Sequence, residues 1–223
     1  MTIRLFDIFF SGIALLILSP IFLVLIIVLK YTGEGKIFFL QERVGKSGNY
    51  FKLFKFVTMI ENSSKVGTGT ITIENDPRIL PLGHILRKTK LNELPQLLNV
   101  LLGDMSVIGP RPQTKRCFNA FPEASKEAIK KVKPGLSGIG SIFFRNEESM
   151  YPENCDYDDF YNQKIMVFKG SLEEWYVSNN NLLNYFLFIF MTLKVLLFPK
   201  IKFIWTIYKD LPLPPKELEK WFE

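Results

Sequence analysis

The chain has 223 residues, 48% of them apolar, and a net charge of +6 from 28 Lys and Arg against 22 Asp and Glu. That length fits one domain with appendages, and the charge favours anionic partners such as phosphates, lipid headgroups or nucleic acid. One histidine, His84, and two cysteines without CxxC spacing, Cys117 and Cys155, argue against a zinc site and a disulfide framework, and for a reducing compartment.

In chain order, the first element is the uncharged run "IFFSGIALLILSPIFLVLIIVL", Ile8 to Leu29. About 20 such residues cross a ~30 Å hydrocarbon layer as a helix. A signal peptide is disfavoured by the length and by the lack of a small-residue cleavage site, and a core helix by apolar residues on every face. Ser19-Pro20 modifies the plain spanning helix. Proline removes a backbone hydrogen bond, and the serine before it can take up the freed carbonyl. Basic residues stand on both sides, Arg4 before and Lys30, Lys36, Arg43 and Lys46 after, and pull both ends to the cytoplasm. A re-entrant helix broken at Ser19-Pro20 satisfies both observations; a kinked spanning helix is the alternative.

After Lys30 the composition is that of a soluble domain. "GKIFFLQERVGKSGNYFKLFKFVTM" carries a hairpin turn signal at "GKSGN", and "TITI" at 70–73 reads as a short strand in a polar loop. "LGHILRKTK" reads as a short basic helix. Leu94, Leu97, Leu98, Leu101 and Leu102 follow with the spacing of one buried helical face, with Asn92 as N-cap, Pro95 in the first turn and Gly103 as stop. "SVIGPRPQ" is a rigid segment around Arg111, and "KEAIKKVKPGLSGIG" a basic helix ended by Pro134-Gly135. An acidic loop with tyrosines precedes "LLNYFLFIFMTLKVLLF", a helix for the membrane interface or the core, and a Pro-rich tail. These elements give a mainly α chain with short β segments (α+β). Its parts are a re-entrant membrane helix at 1–31, a compact cytosolic core at 32–145 and a C-terminal region at 146–223 with an acidic loop and interfacial helices.

Glu93 is the carboxylate of interest. At a helix start, with Arg78, Arg87, Lys88, Lys90 and Arg111 close in sequence, it suggests a divalent metal and a diphosphate. The competing reading is a helix-capping acid among cations that coat anionic lipid.

The ordered set "RLFDIFFSGIALLILSP", "IFFLQERVGKSGNYFKLFKFVTM", "NDPRILPLGHILRKTKLNELPQLLNVLLGDMSVIGPRP" and "VKPGLSGIGSI" closely resembles the bacterial sugar transferases, the monotopic phosphoglycosyl transferases. The match is dense from Arg4 to Ile142; beyond it, "EEWYVSNNNLL" is the best piece. The resemblance implies transfer of a sugar-1-phosphate from a nucleotide sugar, by preference a UDP-sugar, to a polyprenol phosphate such as undecaprenyl phosphate, with release of the nucleoside monophosphate. This is the first membrane step of a surface glycan pathway. It implies a catalytic role for the core at 32–145, a re-entrant helix at Ile8–Leu29, the cytosolic face of the bacterial inner membrane, Mg²⁺ held by Glu93, and phosphate handling by Lys55, Arg87 and Arg111, to which Arg78 is added from its charge and position.

Two residues depart from the family's pattern. Asn92 stands in place of an aspartate nucleophile, and Val57 in place of arginine in "KFRTM". An amide is a poor nucleophile because its nitrogen lone pair is delocalised. Three routes stay open: attack by Glu93 with Asp76 or Asp104 helping the metal, direct attack by the lipid phosphate, or a silent scaffold for other glycan enzymes. A nucleic-acid partner is disfavoured, since no recognition motif accompanies the charge. The aromatic C-terminal stretch leaves room for a homodimer.

Overall fold

The computed structural model describes residues 2–66, 72, 76–152 and 155–222. The strand expected at 70–73 lies outside these, apart from Thr72. Helix α1 (Thr2–Tyr31) leads to the hairpin β1 (Phe38–Val44) and β2 (Tyr50–Phe56), then to α2 (Pro81–Lys88), α3 (Gln96–Leu102) and β3 (Ser106–Ile108). Helices α4 (Lys115–Asn119) and α5 (Glu123–Ile129) precede β4 (Gly135–Ser137), α6 (Ile139–Phe143) and α7 (Tyr157–Phe160). A π turn at Tyr161–Ile165 joins α7 to α8 (Met166–Ser178), followed by α9 (Leu182–Leu197), α10 (Phe203–Ile207) and α11 (Lys216–Glu219). The expected mainly helical α+β composition holds.

Helix α1 runs without interruption through Pro20. Proline at 20 has no N–H for the Leu16 carbonyl, and the Ser19 hydroxyl donates to that oxygen instead, at 2.8 Å. The chain continues as helix on both sides, so the expected division into two helices is not seen. Both ends of α1 are docked. Near the start, Arg4 donates to the carbonyls of Val100 and Leu101 at the end of α3. Asp7, 2% exposed, accepts from the Ser106 hydroxyl, the Val107 amide and the Tyr185 hydroxyl at 2.8, 2.8 and 2.9 Å. Near the other end, Leu25 and Leu29 pack with Phe56 and Leu86, and Phe22 meets Phe56 at 5.4 Å between ring centres. Between these anchors the helix bares Ile13, Leu16, Ile17 and Ile21.

The hairpin forms as its turn signal predicts, with Val44 opposite Tyr50 and Phe38 opposite Phe56. Paired residues share a face, so Arg43 (opposite Phe51) and Lys55 (opposite Phe39) lie on the same side. Helix α3 departs from expectation at its start and in its face. Asn92 does not cap it: residues Leu91–Glu93 form a separate 3₁₀ turn, entered through Lys90 at φ 60°, and Pro95 occupies the cap position. Leu101 and Leu102 are exposed, whereas Gln96 and Asn99 are buried. Asn99 explains the rotation. Its amide accepts from Phe54 N and donates to Lys52 O, at 2.9 and 2.8 Å, pinning α3 to β2. Gly103 ends the helix at φ 98°, as expected.

Helix α5 stops before Lys131, and Gly135 opens β4, which pairs parallel with β3. The largest core cluster runs from Val44 to Phe222 and contains Phe143, Phe168, Phe188 and Ile204. Helix α9 gives Tyr185, Phe188, Met191 and Val195 to it and leaves Leu183, Phe190 and Leu197 exposed. The aromatic C-terminal residues pack inward: Trp205 meets Phe143 edge-on at 4.9 Å, and Phe222 lies 5.6 Å from the same ring.

Candidate active site

Glu93 lies at the end of the 3₁₀ turn, its side chain 14% exposed. Arg111, brought by the segment after β3, donates to Glu93 Oε1 at 2.7 Å. Lys55, from the end of β2, places Nζ 3.7 Å from the same oxygen. Both contacts fall on Oε1. Burial alone would raise the Glu93 pKa, but Arg111 and Lys55 outweigh it, with Lys90 adding, and hold the carboxyl well below the usual range. Burial pushes the Lys55 ammonium down to about 7; Glu93 opposes this, while Arg43, Arg111 and Arg87 add to it. Burial and Arg111 lower Arg43 to about 10.

The cluster thus gathers Lys55, Lys90 and Arg111 around Glu93, with Arg43 and Arg87 beside Lys55. Arg87 also pairs with Glu148. Arg78 is placed differently. It is 4% exposed, pairs with Asp76 through Nε at 2.8 Å, and donates from Nη1 to the carbonyls of Ser63 and Val66. That guanidinium ties a loop together. Asp76 is taken up by Arg78, and Asp104 accepts from Asn99 at 3.1 Å.

Two residues of the site carry little local signal in the sequence. Arg43 reads there only as flanking charge; the hairpin register brings it to Lys55's face. Glu173 of α8 is 1% exposed and accepts from the Arg111 backbone N–H at 3.3 Å. Burial pushes its carboxyl up to about 7. Its one trace in the sequence was the "EEWYV" piece.

Buried polar atoms without a partner concentrate here. Among the described residues they include Arg43 Nε, Arg87 Nε, Asn92 Oδ1 and Glu173 Oε2. Two orphaned donors and two orphaned acceptors in and beside this cluster are what a binding site for a charged polar ligand leaves behind. No three His, Cys, Asp or Glu gather to hold an ion among the described residues, so a cation here would share its coordination with a ligand.

The family model described as bacterial sugar transferase matches residues 1–199. The chain belongs to the bacterial sugar transferases. Similar to this sugar transferase is an exopolysaccharide production protein, ExoY, of Rhizobium meliloti (strain 1021). It is 35% identical over 179 residues, which cover 74% of this chain and 78% of the relative. An exopolysaccharide production protein, PSS, of Rhizobium leguminosarum bv. phaseoli is 48% identical over 144 residues, 62% and 72% of the two chains. A UDP-glucose:undecaprenyl-phosphate glucose-1-phosphate transferase of Klebsiella pneumoniae is 41% identical over 143 residues, 62% of this chain and 30% of that longer protein.

Proposed function

We propose that the chain transfers a sugar-1-phosphate from a nucleotide sugar, by preference a UDP-sugar, to undecaprenyl or a related polyprenyl phosphate at the cytosolic face of the inner membrane, and releases the nucleoside monophosphate. The observation that carries this reading is Glu93 held by Arg111 and Lys55, with Lys90 adding to their field and Arg87 acting on Lys55, in a domain docked to both ends of an apolar helix. Phosphoryl transfer depends mainly on positioning and on neutralising developing charge. Arg111 and Lys55 supply that charge from rigid segments, and Arg87 from α2. A helix held at both ends by one domain does not carry one end to the far leaflet. Its bare middle is read as lying in the cytosolic leaflet without crossing it, with Ser19 covering the carbonyl freed at Pro20.

The donor set fits Mg²⁺. Both cations contact Glu93 through Oε1, which leaves Oε2, and Asn92 next to it carries a buried oxygen without a partner. A bound Mg²⁺ would neutralise the donor diphosphate and polarise its phosphorus. Glu93 itself is a weak attacker, because the cations that keep it ionised also draw down its basicity. Attack by the acceptor phosphate, aligned by Lys55 and Arg111, is therefore the proposed route.

The test is UMP release from UDP-sugars in the presence of polyprenyl phosphate and Mg²⁺. Glu93→Gln is expected to lose about 10²-fold or more in rate, while Asn92→Asp keeps or raises it. Normal turnover by Glu93→Gln would rule out the site, and a wild-type chain that releases no UMP with any UDP-sugar would rule out the activity. A covalent sugar-phosphate adduct on Glu93 would replace direct attack with a two-step route.

A further inference from the structure

A cavity of about 190 Å³ lies where α1 ends and α2 begins. Its walls are mostly apolar and include Leu29 and Thr32 from the end of α1, Val57 after β2, and Leu80 and Leu82 around the start of α2. The two charged residues that border it are already engaged. Lys36 pairs with Glu61, and the Glu34 carboxylate accepts from the Glu61 N–H at 3.0 and 3.1 Å. Glycine at 83 is required for this wall, because a Cβ there would stand 2.2 Å from the Thr58 carbonyl oxygen. The cavity is therefore built by a backbone contact between α2 and the segment after β2.

Two surfaces meet at this place. On one side, α1 bares Val24 and Ile27 just before Leu29. On the other, Val57 stands two residues beyond Lys55, whose Nζ faces Glu93. An apolar chain that entered along α1 would reach the cavity with one end beside Val57, about 7 Å along the strand from the Lys55 backbone. Size and chemistry favour this occupant over a nucleoside. Pockets for drug-sized ligands run roughly 300–1,000 Å³ and offer convergent polar groups. A nucleoside would call for such groups, and the two charged residues at this cavity are engaged with Glu61 instead.

We propose that the cavity holds the isoprenyl segment next to the phosphate of the lipid acceptor, so that the phosphate is presented toward Lys55. The assignment rests on the transferase reading for its ligand and adds to it the place where the lipid is recognised. It makes Leu29, Val57 and Leu80 acceptor-binding residues.

The experiment uses the full chain in lipid vesicles and a polyprenyl phosphate with a diazirine in its phosphate-proximal isoprenyl unit. After irradiation, label is expected on residues 29–33, 57 or 80–82, displaced by unlabelled polyprenyl phosphate and not by UMP. Thr32 is exposed, so Thr32→Trp fills the opening without disturbing the core. This variant should raise KM for the polyprenyl phosphate about tenfold or more and leave KM for the nucleotide sugar and kcat at saturating lipid unchanged. Label confined to 13–21 or to α9, label displaced by UMP, or an unchanged lipid KM in Thr32→Trp overturns the assignment. Wild-type turnover separates the two ideas. Cavity labelling without UMP release upholds the lipid site and sinks the transferase reading, and UMP release with label elsewhere does the reverse.

Discussion

Glu173 shows how much of this site depends on a residue that contacts neither Glu93 nor Lys55. Its carboxyl sits on the Arg111 backbone, with Lys169 one turn earlier on α8 already paired with Glu147. The folded chain raises the pKa from 4.5 to about 7, chiefly by burial, against the pull of Arg111 and Lys169. Between about pH 4.5 and 7 the folded state keeps a proton that the unfolded chain has released, so stability falls as pH rises through that window and levels off above it. Glu173→Gln removes the titration. Its melting temperature relative to wild type should rise from pH 5 to pH 8, by the equivalent of on the order of 3 kcal/mol, and parallel curves would refute the assignment. At this scale the sequence was informative where chemistry is local. Glu93, Lys55, Arg87 and Arg111 could be picked out from charge, turn signals and motif. Arg43 and Glu173 could not, since one depends on hairpin register and the other on how α8 packs.

Among elements, α1 is the one whose local signals and tertiary use diverge most. Its apolar run and Ser19-Pro20 were plain to read, and the Ser19 hydroxyl does cover the carbonyl that Pro20 frees. What the run could not disclose was Asp7, an acid 2% exposed that serves three donors from β3 and α9. Asp7→Ala strands those donors and should lower stability on the order of 3 kcal/mol, read as a lower thermal midpoint in detergent; Asp7→Asn, which keeps an acceptor, should lose less. Helix α3 teaches a related lesson. Five leucines at helical spacing pointed to one buried face, yet Asn99 bonds Phe54 and Lys52 and turns Leu101 and Leu102 outward. A side-chain amide that completes backbone pairing on a neighbouring strand outranks two leucines, because unpaired buried backbone is the costlier defect.

For the whole molecule, the decisive relation is between the helix and the domain. A reporter cysteine placed before Arg4 is expected to react with a membrane-impermeant thiol reagent only in inverted vesicles or permeabilised cells. Labelling of intact cells from outside would mean that the helix crosses, and would remove the shared surface on which soluble donor and lipid acceptor meet. The fold class was legible because helical periodicity and turn chemistry are short-range. The parallel pairing of β3 with β4 was not, since it is set by the close passage of Gly109 and Gly135, where a Cβ on Gly135 would lie 2.1 Å from the Gly109 nitrogen.

The double attachment of α1 also bears on how this protein can be handled. Deleting residues 2–31 would not yield a water-soluble catalytic fragment. It would uncover Phe56 and Leu86, and it would leave the Ser106 hydroxyl, the Val107 amide and the Tyr185 hydroxyl without their acceptor. The greasy segment is a wall of the domain as much as its tether, so detergent or nanodisc has to accompany the chain through every preparation.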